Sequence, residues 1–581
     1  MNVKLMAVAM LVVLSMASPG AATGERRLTL ADYRDKMEGG WVAQMAGVEW
    51  GTPTEFKWVN RIVPEDKVPE WKPEMINGAF GNDDLYVEMT FLKTLARDGI
   101  DPDIRAAGID FANSKYDLWC ANLNGRINLR AGIAPPDSSH PAYHASPDDI
   151  DYQIEADYAG LICPGLPRRV QKLGDVFGRL VNYGDGLYAG VFVGGMYATA
   201  FFTEDRLEIL EGGLACIPAE SRYAKTVRDV IAWWRENPND WEYAWRKLDA
   251  KHGPGAGKFV TTAGIDAALN GASAVIGLLY GNGDLAKTIV IAMRCGYDSD
   301  CNPSTAAGVL GTSMGLKRIP ETFRSGLKRS TKFNHSDFDF DSMTATCEAL
   351  ARKIVAAEGG RIVRDADGSE SFVIPEQKPE ARPYVSAAHP GPVAHSAYTD
   401  EELARIVGAR RLPEPSAFDD TNATRRVQNA LDALWPGWTI MTEMRADWRA
   451  PMGGGAESCG YFRSAWWTGE KTSQKLGAYL RMRAPKDRPF IALANRSCSV
   501  GTMMPAMRMA FCTGWGRETP FELRLDGETA FRGTFSMQTR AFTVPLDKWA
   551  GKTVFAELLF WPSNGVPVCL MSPIELLTTG K

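Results

Sequence analysis

Histidine is scarce, and the usual spacings of a zinc site are missing. The 581 residues hold six histidines with no His-Glu-x-x-His run, and the ten cysteines include no Cys-x-x-Cys pair. A zinc ion held by nitrogen and sulfur therefore has no support, and any metal here is expected to be held by oxygen. The cysteines are widely and irregularly spaced, Cys295 and Cys301 being the nearest pair. This excludes a disulfide framework and leaves a few staples or buried thiols. Clusters of Lys and Arg are lacking as well, and the net charge is −5. Nucleic-acid binding, which advertises itself as a basic patch or stripe, is not expected. Beyond the first residues no apolar stretch is long enough to span a bilayer, which takes about 20 residues.

What is present begins with a processing signal. Met1, Asn2, Val3 and Lys4 lead into an apolar run from Leu5 to Leu14, followed by the small residues Ala17, Gly20, Ala21 and Ala22. The pattern is that of a secretory signal peptide over residues 1–22. No cysteine follows the run, so no lipid anchor is expected, and the mature chain should be secreted or periplasmic without a membrane anchor. Residues 23–373 carry helical periodicity: Leu85, Met89, Leu92 and Ala96 share one face, as do Leu285, Ile289 and Ala292. Residues 374–416 are rich in proline (Pro375, Pro379, Pro383, Pro390, Pro392, Pro413, Pro415) and read as a linker. Residues 417–581 alternate with period two, as in Leu476, Ala478, Leu480, Met482 and in Val554, Ala556, Leu558, Phe560. Phe521, Leu523 and Leu525 run into the turn pair Asp526-Gly527. The expected fold is multidomain, an all-α domain followed by a smaller β-sandwich. Trp435, Trp438, Trp448, Trp466, Trp467, Trp515, Trp549 and Trp561 crowd the second domain. They fit either a carbohydrate-binding face or a packed core.

The informative residues are acidic and sit at helix starts. Asn82, Asp83 and Asp84 precede an amphipathic helix that runs to Gly99, where carboxylates meet the positive end of the helix dipole. Asp298, Ser299, Asp300, Cys301 and Asn302 lie between a helix stopped at Gly296 and another expected to open with Pro303 at its first position. Either cluster alone reads as an ordinary cap. Bringing four carboxylates together requires cations to offset their repulsion, and oxygen donors without imidazole select hard ions: Mg²⁺ or Mn²⁺, with Ca²⁺ as a further option.

Asn82-Asp83-Asp84 at a helix start, paired with Gly296-Tyr297-Asp298-Ser299-Asp300 and the small-residue helix after it, resembles the two metal-binding motifs of the ADP-ribosylglycohydrolases. Gly39-Gly40, Gly47, Gly51, Pro53 and Glu55 resemble that family's glycine-rich opening helix and its Gly-x-Pro-x-Glu turn. The resemblance covers roughly residues 30 to 330. It implies that Asp83, Asp84, Asp298 and Asp300 hold one or two divalent ions, Asn82 adding an oxygen, and that a carboxylate shuttles protons during glycosidic cleavage. Glu55 is one candidate for the shuttle. Asp151 and Glu155, one helical turn apart in the acidic run 148–157, are others, unless that run is a solvated acidic helix.

Two positions depart from the family pattern. The family's diphosphate-cradling loop, Gly-Asn-Gly-x-x-Met-Arg, has its best local match in Gly184-Asp185-Gly186-Leu187-Tyr188, where an aspartate enters and the arginine is missing. Asn182, Gly184, Asp185, Gly186 and Tyr188 are accordingly expected to bind sugar hydroxyls in place of a diphosphate, with an ordinary glycine turn as the plain alternative. Cys301 stands where relatives place Thr or Ser. The leading expectation is a metal-dependent glycoside hydrolase acting on a glycan or small glycoside; the alternatives are an ADP-ribosyl hydrolase proper and a non-catalytic, metal-assisted sugar-binding protein.

Overall fold

The structure, a computed structural model, describes residues 24–141, 143–144, 146–253, 264–387, 390–409, 411, 431, 437–440, 458–467, 474–483, 491–513, 518–536, 540–562 and 568–577. The signal-peptide segment 1–22, the end of the Pro-rich segment, and Trp435, Trp448 and Trp515 lie outside the described residues, as do the side chains of Trp466 and Trp467. The helical region is closed by a small antiparallel sheet that helical periodicity does not announce. β1 (Glu25–Thr29) pairs with β3 (Glu370–Pro375), which also pairs with β2 (Arg361–Arg364), giving the order β1-β3-β2. Ile374 and Pro375, assigned above to the linker, therefore belong to this sheet. Between β1 and β2 the chain is helical, around a core that includes Tyr33, Trp41, Phe91, Tyr158, Phe177 and Tyr197. Phe91 and Phe177 meet at 4.7 Å between ring centroids. Among the described residues no helix is long and apolar enough to cross a membrane.

Two helices far apart in sequence set the frame for the site. The opening helix, Leu30–Gly51, packs lengthwise on Cys301–Met314, and small residues make the close approach possible. A Cβ added at Gly47 or Gly51 would strike the backbone of Pro303 or of Ser299 and Asp300. The glycines thus bring the end of the opening helix against the Asp298–Asp300 loop. Pro303 is the third residue of its helix and not the first. Its missing N–H costs nothing there, because the first four amides of a helix have no intrahelical partner. Cys295 and Cys301 are free thiols, as are Cys120, Cys163, Cys216, Cys347 and Cys498. All of these but Cys120 are buried, in positions that suit a small apolar side chain.

The Pro-rich segment is not a free tether up to residue 409. It is strapped along the helical region by hydrogen bonds that its own prolines cannot donate but its other residues can. Asp137 accepts from Ala394 N at 3.0 Å and Ser396 N at 2.7 Å. The Tyr188 hydroxyl accepts from Val385 N at 3.0 Å, and that of Tyr183 from Gly391 N at 2.9 Å. Tyr398 is buried, its hydroxyl donating to Arg105 O at 3.1 Å. Composition is blind to such partners.

The C-terminal region is rich in strands: β4 (Trp438–Ile440), β5 (Ser458–Trp467), β6 (Gln474–Arg483), β7 (Ile491–Ser499), β8 (Ala506–Thr513), β9 (Thr519–Leu525), β10 (Glu528–Phe535), β11 (Arg540–Pro545), β12 (Thr553–Phe560) and β13 (Val568–Leu577). They form two five-stranded antiparallel sheets, ordered β10-β9-β12-β7-β4 and β11-β8-β13-β6-β5. Phe511 of the second sheet lies 5.0 Å from Phe521 and 5.1 Å from Phe560 of the first. Trp438 and Trp549 belong to the same core. Asp526 and Gly527, with φ of 51° and 82°, make the two-residue turn between β9 and β10 that the Asp-Gly pair announces.

Asp137→Ala removes a charged acceptor from two strap amides, and hydrogen bonds to charged groups contribute about 1.5–3 kcal/mol each. The expected result is a stability loss of about 3 kcal/mol in chemical denaturation, with new thermolysin cleavage within residues 383–397. Unchanged cleavage would show that the strap is held by something else.

Candidate metal and proton-transfer site

The first arc of the site forms where three segments meet. The opening helix ends at Gly51 and turns through Thr52–Thr54 to Glu55. Thr54 Oγ1 bonds both Gly51 O and Ser299 Oγ at 2.8 Å, which fixes Glu55 beside the Asp298–Asp300 loop. That loop is launched by a sharp turn with Gly296 and Tyr297 at φ of 75° and 62°. At Gly296 a side chain would also strike the Trp58 and Arg61 carbonyls. Asn270, buried in the helix Ala267–Gly281, holds the loop: its Oδ1 accepts from Asp298 N at 3.3 Å and Asn302 Nδ2 at 2.9 Å, while its Nδ2 donates to Gly264 O and Asp266 O. The helix Asp83–Asp98 supplies the third segment, with Asn82 as its N-cap.

These segments bring oxygens together. Asp298, Asp300 and Cys301 offer ligand atoms that all lie within 4.8 Å of one another, and all three residues are buried. The Cys301 thiol donates to Asp84 Oδ2 at 3.2 Å. Burial, followed by the charges of Asp300 and Asp83, pushes the Asp84 carboxyl well above its usual range. Burial and then the charge of Asp300 do the same to Asp298, and Asp83 is pushed up to about 6 by the same two causes. Glu55, partly exposed, is pushed up to about 8 by desolvation, then by Asp300 and Asp83. Asp84 Oδ1, Asp298 Oδ1 and Asp300 Oδ1 are buried without a hydrogen-bond partner among the described residues. Unpaired, dry carboxylate oxygens on neighbouring residues cost free energy unless a cation or protons neutralise them. The donor set therefore fits a divalent cation. Beside the expected carboxylate oxygens it includes the Cys301 sulfur. Asn82 caps its own helix: its side-chain oxygen accepts from Asp84 N at 3.0 Å.

A second arc lies beyond Asp83. Asp149 Oδ2 accepts from Ala121 N at 2.9 Å and Asp151 Oδ2 from Asn122 N at 2.8 Å, so both carboxylates cap the helix Cys120–Arg130. Asn122 Nδ2 donates to Glu155. Asp151 lies in a single helical turn, Asp151–Ile154, and Glu155 ends it. Both are buried, so the solvated acidic helix is excluded. Burial pushes Asp151 up to about 7, with the Asn122 amide opposing and Asp83 adding to the rise. Burial, Asp151 and Asp83 also raise Glu155, which links this arc to the first.

The residues expected to contact substrate mostly serve the fold. Asn182 is fully buried, its Oδ1 accepting from Tyr152 N at 2.8 Å and its Nδ2 donating to Pro147 O and Asp149 O, both at 3.1 Å. A Cβ at Gly186 would come within 2.9 Å of those two carbonyls. Asp185 accepts from Tyr223 N at 2.9 Å at the start of the helix Arg222–Glu236. Gly184 lies under the strap, and the Tyr188 hydroxyl is engaged by it. The sequence reading passed over Asn270, Asn122 and Glu88. Glu88 is buried, accepting from Gln44 Nε2 at 3.1 Å and Tyr158 N at 2.6 Å. Its position was a signal, since it falls on the same helical face as Leu85, Met89 and Leu92.

Raised carboxyls have a definite linkage sign. A group whose folded pKa exceeds its unfolded value stabilises the fold below the unfolded pKa, and that contribution is lost as pH rises through the folded pKa. For Asp83, Asp151 and Glu55 the loss spans from the ordinary carboxylate range to about 8. The melting temperature in EDTA is expected to fall between pH 5 and pH 8, and excess Mn²⁺ to flatten that fall. A melting temperature that rises over this window in EDTA contradicts the assignment.

A solved structure titled "ADP-ribosylglycohydrolase-related protein complex" is similar at 14% identity, covering 56% of this chain and 99% of that one with a TM-score of 0.38. The CBM36-1 domain of a multidomain xylanase from the hindgut metagenome of Trinervitermes trinervoides is similar at 12% identity, covering 25% of this chain and 99% of that one with a TM-score of 0.14. An exo-beta-agarase structure is similar at 10% identity, covering 25% of this chain and 26% of that one with a TM-score of 0.17. No curated protein matches. The family profile described as ADP-ribosylglycohydrolase matches residues 29–361, more than half of the chain, and takes in both acidic motifs. The chain belongs to the ADP-ribosylglycohydrolase family.

Proposed function

We propose that this chain is an exported, divalent-cation-dependent glycoside hydrolase acting on a glycan or small glycoside. One observation carries the reading: three unpaired, buried carboxylate oxygens, on Asp84, Asp298 and Asp300, lie beside a partly exposed Glu55 whose carboxyl is raised to about 8. Asp83, Asp84, Asp298 and Asp300 would hold one or two ions, Mg²⁺ or Mn²⁺ in the first instance. A bound divalent ion supplies Lewis acidity and a template for sugar hydroxyls. Proton transfer then falls to a carboxyl that substrate can reach. Glu55 meets that condition, whereas Asp151 and Glu155 are buried and tied to the helix Cys120–Arg130 through its amides and Asn122. Burial and the charges of Asp300 and Asp83 favour the protonated form of Glu55, and a protonated carboxyl that substrate can reach delivers its proton to a leaving oxygen, as a general acid must. Of the loop beyond Asn182, Asp185 is the residue best suited to sugar hydroxyls. We read the strand-rich region as a β-sandwich and the half-buried Trp561 as a candidate for carbohydrate contact, Trp438 and Trp549 being taken up by the core.

The test is hydrolysis of a panel of aryl glycosides, oligosaccharides and ADP-ribosylated arginine and serine, with EDTA or with Mg²⁺ or Mn²⁺. Glycosidic cleavage is expected to vanish in EDTA and in Asp84→Asn and Asp298→Asn. Glu55→Gln is expected to lower kcat by about 10²–10⁴ with little change in KM. Cleavage indifferent to EDTA sinks the reading. Release of ADP-ribose alone moves the substrate to the family's namesake reaction, and binding of glycans without cleavage supports a sugar-binding protein.

A further inference from the structure

Cys301 occupies an unusual place for a thiol. On one side its sulfur shares a 4.8 Å cluster with the ligand atoms of Asp298 and Asp300 and donates to Asp84. On the other it packs among Ile150, Ile154 and Ile265, with Cys120 against the same group. It opens the helix Cys301–Met314 directly after Asp300, so the turn that places one carboxylate places the sulfur as well. The unpaired oxygens of Asp84, Asp298 and Asp300 are all buried around it.

We propose that Cys301 is a ligand of the cation site and tilts its preference from Mg²⁺ toward thiophilic divalent ions, Zn²⁺ foremost. The inference rests on the reading that the acidic cluster holds a cation. Thiolate is a soft donor that Zn²⁺ accepts readily and that Mg²⁺, which demands oxygen and keeps its waters, does not. Occupancy exchanges the thiol proton for the ion, the proton passing to solvent. The apolar wall of isoleucines keeps competing water from the sulfur. Mg²⁺ would be left with the carboxylates alone, and Zn²⁺ would gain a sulfur contact besides them. The competing account is that Cys301 only packs against the isoleucines and donates to Asp84.

Cadmium separates the two, because a sulfur ligand gives a charge-transfer band in the ultraviolet that oxygen ligands do not. The probe is one equivalent of CdCl₂ added to the full chain, read as the difference between wild type and Cys301→Ser so that the other thiols cancel. The expected result is a band present in wild type and lost in the variant, with Cd²⁺ still bound. By calorimetry, the ratio of Zn²⁺ to Mg²⁺ affinity is expected to fall about tenfold or more in Cys301→Ser. Should the serine variant not fold, the ¹¹³Cd resonance of wild type alone decides: a sulfur-bound ion resonates far downfield of one bound by oxygen. A difference spectrum without the band, an unchanged affinity ratio or an all-oxygen resonance overturns the proposal while leaving the cation site intact. If the wild type binds none of these ions, or binds them as well after Asp298→Asn with Asp300→Asn, the reading of the site itself fails instead.

Discussion

Carboxylates that share a dry site repel one another and also lose the water that would solvate them, so a fold that assembles them must stabilise them by other means. Here the recurrent means is the start of a helix. Asp83 and Asp84 occupy the first turn of one helix, Asp300 precedes another, and Asp149 and Asp151 cap the amides of a third. Asp185 caps a fourth through Tyr223 N, and Asp266 stands at the head of the helix that carries Asn270. Each helix start offers free amides and the positive end of a dipole. The architecture is a set of helices aimed so that their positive ends surround one acidic region. Arg222, paired with Asp266, supplies a cation of the protein's own, and protonation or the proposed ion would supply the remainder.

That constraint explains which parts of the fold were legible in the sequence. Helix starts have local signatures, so Asn82-Asp83-Asp84 and Asp298-Ser299-Asp300 could be found by spacing alone. The alternating runs of the C-terminal strands and the Asp526-Gly527 turn were legible for the same reason. Long-range pairing has no such signature. β1 finds β3 across more than three hundred residues, and Asp137 finds Ala394 and Ser396 across more than two hundred and fifty. Proline content suggested a tether because prolines are visible in a sequence and the acceptors awaiting the neighbouring amides are not.

Within the site, residue type was legible and residue task was not. Asn182 and Asn270 look alike as polar residues near glycines, yet one pins the 147–152 turn and the other pins the Asp298 loop. Asn82 is visible in the sequence as a polar residue before a helix; that its oxygen caps the Asp84 amide is visible only in the structure. Glu55 and Glu155 are both raised carboxyls, but only Glu55 retains exposure. A sequence shows that an oxygen exists, and the hydrogen-bond partners decide whether it is free.

The small sheet has a consequence for how the molecule comes into being. β1 lies before the first helix, and its partner β3 follows the last helix of the helical region. During synthesis the first strand must wait, unpaired, while the intervening helices emerge, and only the arrival of Phe372, Val373 and Ile374 lets the seam close. Loop-closure cost grows only slowly with length, but pairing over such a sequence separation is slow. The helical region is therefore a ring fastened by its last-made piece, and its final latching is posed to a chain that has already left the ribosome tunnel as helices.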